Sequence, residues 1–275
     1  MASVKVVLLA CTALIALADL RVPVQFFWTA GCPFSNRFII SALNQTFSRE
    51  GIMDQVMNFQ AHPFGNSYYA TELCGGQNGV YDSYERLCWE KACGFGAIDR
   101  PDDCFTGQLV NQHGEVEGSM NRLYACVKAS AQGDDAYFIP FVTCIAHAFV
   151  NHLPALRKSE EDFAEKCSAK IGLPWGPINT CWKDEPGAYV YAGELLEKEA
   201  KLTPPHPFVP WITVNGEPLS DRLDLLFAAC NAYTGKKPKG CFGSLGLTEP
   251  PMSGAPLGCR GVGLWIVYQL LLLLF

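Results

Sequence analysis

Apolar side chains in this chain follow two rhythms, short continuous runs and spacings of three and four. The run Val22-Pro23-Val24-Gln25-Phe26-Phe27-Trp28 has strand length and ends in the small residues Thr29-Ala30-Gly31. Beyond it Phe38, Ile39, Ile40, Leu43 and Phe47 recur at helical spacing. A second strand is predicted over Gln55–Phe64, with Val56, Met57, Phe59 and Ala61 as its apolar members and Pro63 and Gly65 as punctuation. Strand, helix, strand opens a parallel α/β sheet. From Met120 to Lys201 the rhythm is helical, through Leu123, Val127, Phe138, Phe141, Val142, Ile145, Phe149 and Val150. Further helical pieces are predicted at Glu160–Ile171, Gly176–Trp182 and Tyr189–Leu202. The strand rhythm returns within 204–219 and meets Asn215-Gly216, a strong hairpin signal. A closing helix is expected from Ser220 to Tyr233, capped by Ser220, with Leu223, Leu226, Phe227 and Cys230 on one face.

Between these parts, the segment 66–107 has little periodicity. Gly75, Gly76, Gly79, Gly94 and Gly96 accompany Cys74, Cys88, Cys93 and Cys104, which reads as a loop-rich insertion. The spacing C-x13-C-x4-C-x10-C lacks the paired C-x2-C knuckles of a zinc site, so two disulfides are the expectation and no metal is.

The ends change the reading of every cysteine. Lys5, the apolar run Val6 to Leu17 and the small-x-small Ala16-Leu17-Ala18 predict a signal peptide over 1–18, with the mature chain starting near Asp19. A linker at 246–261 leads to the apolar tail 262–275, which with Ser253-Gly254-Ala255 upstream reads as a GPI-attachment signal. A short tail anchor or an unprocessed terminus competes with that reading. Of the thirteen cysteines, Cys11 lies in the signal peptide and Cys259 in the linker, where it would be removed with a GPI signal. In an exported chain most of the rest are expected to be disulfide-bonded. Cys126, Cys144, Cys167 and Cys181 share the helical block, where we expect Cys126–Cys144 and Cys167–Cys181, although sequence leaves connectivity open. Cys230 and Cys241 are expected to staple the end of the domain, which leaves Cys32 as the free, partly exposed thiol. Asn44-Gln45-Thr46 is a glycosylation consensus on the first helix. The net charge of −6 carries no basic footprint for nucleic acid, and Lys236, Lys237 and Lys239 read as a solvated loop. His147 and His152 read as packed or surface histidines, and no cofactor is implied.

Candidate chemistry centres on Cys32-Pro33-Phe34-Ser35. Proline suits the first position of a helix, so Cys32 is expected at a helix start, where unpaired N–H groups favour a thiolate. A thioredoxin-type fold presents its nucleophilic sulfur in this way. Its second cysteine, three residues on, is here Ser35, whose hydroxyl is able to hydrogen-bond a thiolate and unable to displace a sulfur.

Two further motifs carry a family resemblance. Gln112, His113, Gly114, Glu117, Asn121 and Cys126 match the signature C-Q-H-G-x2-E-C-x2-N-x4-C of the gamma-interferon-inducible lysosomal thiol reductases (GILT), with Asn111 and Gly118 in place of its first two cysteines. Pro204-Pro205-His206-Pro207-Phe208-Val209-Pro210-Trp211-Ile212-Thr213-Val214-Asn215-Gly216-Glu217-Pro218-Leu219 resembles the GILT segment PPH-x2-VPW-[VI]-TVNG-x-PL. The resemblance implies a thioredoxin-like sheet in one domain over 19–245, with the helical insertion at 120–202 and the cysteine-rich one at 66–107 added to it. It puts the role of a cis-proline facing the nucleophile on Pro210. It also implies dithiol reductase chemistry from which this chain has lost the resolving cysteine. Asn111 and Gly118 together read as the loss of one cysteine pair.

Three functions follow. One is a secreted or surface-attached GILT-like protein that binds a protein partner with little or no dithiol turnover, which we favour. Another is a monothiol oxidoreductase or isomerase acting on protein disulfides through Cys32. The last is a structural protein in which Cys32 is bridged. The expected location is the secretory pathway, secreted or at the cell surface, with the lysosome as the family's alternative, and membrane contact is expected only through a lipid anchor.

Overall fold

Seven residues, Val22–Trp28, form strand β1, and the rest of the sheet is built outward from it. The computed structural model describes residues 21–133, 135–183 and 188–242. The expected leader 1–18, linker 246–261 and tail 262–275 lie outside the described residues, with Cys11 and Cys259. Contacts divide the chain after Cys241, and everything below belongs to the first unit.

After β1 the chain enters helix α1, Pro33–Phe38, which continues through a π-helical stretch Ile39–Leu43 into a last turn Asn44–Phe47. A second π-helical stretch, Ile52–Val56, precedes β2, Met57–Pro63, so the strand is shorter than the predicted Gln55–Phe64. Strand β2 runs parallel to β1, pairing Val22 with Met57 and Trp28 with Pro63. On the other side of β1 lies β5, Trp211–Val214, antiparallel and paired through Phe26 and Ile212. The two-residue strand β6, Glu217–Pro218, closes the Asn215-Gly216 hairpin, where both turn residues have positive φ. The order β2-β1-β5-β6, with one parallel and two antiparallel pairings, is that of a thioredoxin-like sheet.

The helical insertion packs on β1. It comprises α3 (Glu115–Ser130), α4 (Asp135–Leu156), α5 (Glu160–Ile171), α6 (Trp175–Trp182) and α7 (Ala188–Leu202). Trp28 joins the two parts: its ring stacks on Phe26 at 4.7 Å and meets Tyr124 of α3 at 5.7 Å and Phe138 of α4 at 5.9 Å. These four side chains, fully buried, contribute on the order of 1.5–3 kcal/mol each. The kink near the end of α4, at His152, precedes Pro154, whose missing N–H cannot continue the ladder. His147 and His152 are both exposed.

Two expectations of local structure are corrected. The segment 66–107 is not loop alone. It contains α2, Ser83–Cys93, and it lends β3, Tyr68–Tyr69, to a small antiparallel pair with β4, Leu109–Val110. Tyr68, Tyr69, Trp89, Cys93 and Cys104 form an apolar cluster there that also takes in Leu196 and Ala200 of α7. Helix α2 escaped the periodicity test because its buried face, Arg86, Trp89, Glu90 and Cys93, is half charged, while Tyr84 and Leu87 are exposed. The signal that marks it is Asp82, which caps Tyr84 N–H at 2.7 Å and Glu85 N–H at 3.1 Å. The closing helix also differs. Ser220 caps nothing; Asp221 accepts from Leu223 N–H to start a short 3-10 turn, and helix α8 proper is Leu225–Ala232.

All ten expected cysteines are bridged, and two of the expected pairings are wrong. The bonds are Cys74–Cys88, Cys93–Cys104, Cys126–Cys181, Cys144–Cys167 and Cys230–Cys241. Cys126–Cys144 and Cys167–Cys181 do not form, because α6 returns to lie along α3 and α5 lies along α4. Packing partners, not sequence neighbours, choose the pairs. In the chain-entropy account the Cys126–Cys181 link, spanning 55 residues, removes more freedom from the unfolded chain than the short loops do, about 4 kcal/mol.

Candidate functional site

The sheet places the Thr29-Ala30-Gly31-Cys32 turn at the carboxyl end of β1, beside the start of β5. Cys32 is the N-cap of α1, with Pro33 at the first helical position, and Asn36 N–H donates to its carbonyl at 3.0 Å. Among the described residues it is the free cysteine, and it is buried at 4 % exposure, not partly exposed as expected. The thiol donates to the carbonyl oxygen of Val209 at 3.7 Å. The Val209–Pro210 peptide bond is cis, so the PPH–VPW segment supplies the surface against which the sulfur lies.

Ser35 is one turn further along α1 and fully buried, and its Oγ has no hydrogen-bond partner. The hydroxyl therefore does not hold the sulfur, although its chemistry would allow it. Phe34, between them, is exposed.

The GILT-like signature braces this turn from the side. Glu117 and Asn121, four apart, share one face of α3, and His113, in the turn before the helix, folds back to reach Glu117. Asn121 Oδ1 accepts from Ala30 N–H at 2.9 Å, and its Nδ2 donates to Thr29 Oγ1 at 3.0 Å. Asn36 Nδ2 of α1 donates to Ala30 O at 2.6 Å, which fixes the other side of the turn. Glu117 is fully buried, and one of its oxygens lies 2.5 Å from His113 Nδ1. A β-carbon on Gly31 would lie 2.6 Å from Glu117 Oε2 and 2.7 Å from the His113 β-carbon. Position 31 therefore has room for glycine alone, and the pair touches the residue that precedes the nucleophile. Asn111 and Gly118 are neighbours too: the Asn111 amide takes the space a β-carbon at 118 would need, at 2.4 Å.

Gln112 belongs to a second buried network. Its Oε1 accepts from Asn66 Nδ2 at 2.8 Å, and Asn66 Oδ1 accepts from Arg86 Nη1 at 2.6 Å and lies 3.0 Å from His206 Nε2. Arg86 also donates to His206 O at 2.9 Å and pairs with Glu90 at 3.1 Å. The cysteine-rich insertion is thus bonded to both motifs, through Asn66, Arg86 and Glu90. Sequence reasoning missed these three. A third set ties α3 and α7 to β2: Lys128 donates to Ala61 O and to Glu199, which is bonded to His62 at 2.7 Å. Burial alone would raise the Glu199 carboxyl, but the His62 hydrogen bond and the Lys128 charge outweigh it and hold it below its usual range.

The second network has a worked pH consequence. Burial, only partly offset by Arg86, pushes the Glu90 carboxyl from 4.5 up to about 7. Burial pushes His206 from 6.5 down to about 4 despite its bond to Pro204 O. At 3.9 Å the two approach, but with the imidazole neutral they form no ion pair. Between about 4.5 and 7 the folded state holds a proton on Glu90 that the unfolded state has lost, so this group makes stability fall as pH rises. Between about 6.5 and 4 the unfolded state holds a proton on His206 that the folded state refuses, so this group makes stability fall as pH drops. Where the windows overlap the slopes cancel. Glu90→Gln should therefore uncover the His206 slope, about 1.4 kcal/mol per pH unit, in urea unfolding between pH 6.5 and 4.5. A variant whose slope matches the parent's would contradict the assignment.

With this geometry in place, comparison with known proteins is informative. No family model matches the chain. A gamma-interferon-responsive lysosomal thiol protein of Arabidopsis thaliana is 24 % identical over 237 residues, covering 84 % of this chain and 80 % of that protein. A gamma-interferon-inducible lysosomal thiol reductase of Carassius auratus is 27 % identical over 209 residues, covering 70 % and 77 %. The reductase of the same name from Mus musculus is 29 % identical over 147 residues, half of each chain. Among solved structures, the oxidoreductase DsbA from Xylella fastidiosa aligns with a TM-score of 0.40 and 14 % identity, covering 77 % of this chain and 86 % of that one. Along much of its length the chain is thus similar to proteins named gamma-interferon-inducible or gamma-interferon-responsive lysosomal thiol reductases and thiol proteins.

Proposed function

We propose that this protein captures disulfide-bearing protein partners as a mixed disulfide at Cys32, with little or no dithiol turnover of its own, and that a small external thiol releases them. The observation that carries the reading is the site itself: a free sulfur at a helix start against the Val209 carbonyl, with a buried, unpartnered serine where a resolving thiol would act. Attack on a disulfide needs only the first sulfur; closing the cycle within the chain needs a second. The curated relatives' names support thiol chemistry, and five disulfides elsewhere support an oxidising compartment. We place the protein in the secretory pathway, secreted or surface-attached, with a lysosome-like compartment as the alternative that the relatives' names suggest. A glycan at Asn44 is consistent with its exposed side chain, and the lipid anchor of the tail remains part of this proposal.

The test uses the full chain and a cystine-containing peptide, without added thiol. Mass spectrometry should find one peptide adduct per chain, on Cys32, released by glutathione; Cys32→Ser should form none. Repeated turnover in the absence of an external thiol, or no adduct on the parent protein, would refute the reading.

A further inference from the structure

The five histidines of the chain have distinct settings. His147 and His152 are exposed on α4. His62 is buried, stacked on Phe27 at 4.8 Å, and bonded to Glu199. His206 is buried and held by Asn66 and the Pro204 carbonyl. His113 combines three properties that the others do not share. Its side chain is one-third exposed, its Nδ1 is bonded to a carboxylate with no exposure at all, and its β-carbon borders Gly31, the residue before Cys32. A carboxylate on Nδ1 fixes the imidazole's orientation and tautomer and leaves Nε2 to exchange protons. Ser35 has no comparable role, since its buried hydroxyl contacts no partner.

Resting on the thiol-exchange reading above, we propose that His113 is the acid–base group of that exchange, with Glu117 as its positioning residue and a dialkyl protein disulfide as the substrate. Nε2 of His113 takes the proton of the Cys32 thiol. The thiolate attacks one sulfur of R–S–S–R′, forming Cys32–S–S–R while the S–S bond breaks. The bonding pair leaves on R′S⁻, which collects the proton from His113 as R′SH. A small external thiol R″SH then attacks the mixed disulfide; R–S–S–R″ departs, and the proton of R″SH reaches the Cys32 sulfur through the same imidazole. The balance is R–S–S–R′ plus R″SH giving R′SH plus R–S–S–R″, with Cys32 restored. The pair borders Gly31, next to Cys32 in the chain, and Tyr81 of the insertion, whose phenol is raised mainly by burial, feels the Glu117 charge.

The test exploits leaving groups. An alkyl thiolate departs poorly and gains from a proton donor, whereas an aryl thiolate departs readily without one. Second-order rate constants of reduced full-length protein are measured with oxidised glutathione and with the aryl disulfide 5,5′-dithiobis(2-nitrobenzoate). In His113→Gln the alkyl-to-aryl ratio should fall about a hundredfold, the scale of general acid–base catalysis. Glu117→Gln should move the ratio the same way by less. A substitution that merely disturbs the turn slows both reactions alike and leaves the ratio where it was, which would overturn the assignment. His113→Asn serves as the second variant, and the aryl reaction reports a folded site in each protein. Should the parent protein react with neither disulfide, the thiol-exchange reading itself fails and this inference goes with it.

Discussion

Ser35→Cys should raise glutathione-dependent reduction of a protein disulfide well above the parent's rate, because release of the trapped partner then no longer waits on an external thiol. Position 35 is fully buried one helical turn after Cys32, and its present hydroxyl makes no hydrogen bond. An unsatisfied buried hydroxyl costs about 1–3 kcal/mol. A thiol of nearly the same size has far less need of a partner, so the reduced variant should also melt at the same temperature or higher. The introduced thiol then supplies the step the parent lacks, displacing the substrate sulfur from Cys32. Insulin reduction with glutathione as electron donor is a suitable assay. The double variant carrying Cys32→Ser as well should be inert. If Ser35→Cys stays at the parent's rate while mass spectrometry shows its dithiol closing, the lesion extends beyond the resolving position and our account of the site is wrong.

Gly31→Ala should be the most damaging single methyl in the site. The new β-carbon would meet Glu117 Oε2 at 2.6 Å, the His113 β-carbon at 2.7 Å and the Glu117 β-carbon at 3.0 Å. A carboxylate oxygen at the end of a flexible chain is able to swing aside; the β-carbons of Glu117 on α3 and of His113 in the turn before it are not. Either α3 shifts, breaking the Asn121 bonds to Thr29 and Ala30, or the turn carrying Cys32 moves. Overpacking of this kind costs about 1–3 kcal/mol, equivalent to a fall in Tm of roughly 2–4 °C per kcal/mol at this chain size. Adduct formation at Cys32 should slow by more than the stability loss explains, because the displaced element is the one that aims the sulfur. Unchanged adduct kinetics in a folded Gly31→Ala protein would show that the brace does not matter to the chemistry.

How much of this was legible in the sequence varies with the range of the interaction. Strand β1, the start of α1 and the hairpin at Asn215-Gly216 are written locally, in runs, a proline and a turn dipeptide. The 112–126 motif was visible as spacing, and the four-residue step from Glu117 to Asn121 is helical, so their common face was legible in principle. What it braces was not, because the bond from Ala30 to Asn121 joins residues about ninety positions apart. Helix α2 was hidden by chemistry: Arg86 is turned inward to donate to Asn66 and the His206 carbonyl and to pair with Glu90, and no single-sequence pattern shows a charged face turned inward. The bridges Cys126–Cys181 and Cys144–Cys167 were hidden by topology, since which helices lie side by side is decided by packing.

The cover over Cys32 also has a history in time. The sulfur and the Val209 carbonyl that shields it are 177 residues apart. At 5–20 residues per second, synthesis takes roughly 10–35 s to deliver that cover after the cysteine has emerged. Throughout that interval eight of the ten bridged cysteines appear one after another, from Cys74 to Cys181, and the future free thiol is open to each of them. The last strand is therefore a safeguard on pairing as well as a wall of the site. Correct bridging of the whole chain depends on the other ten sulfurs finding one another faster than they find Cys32.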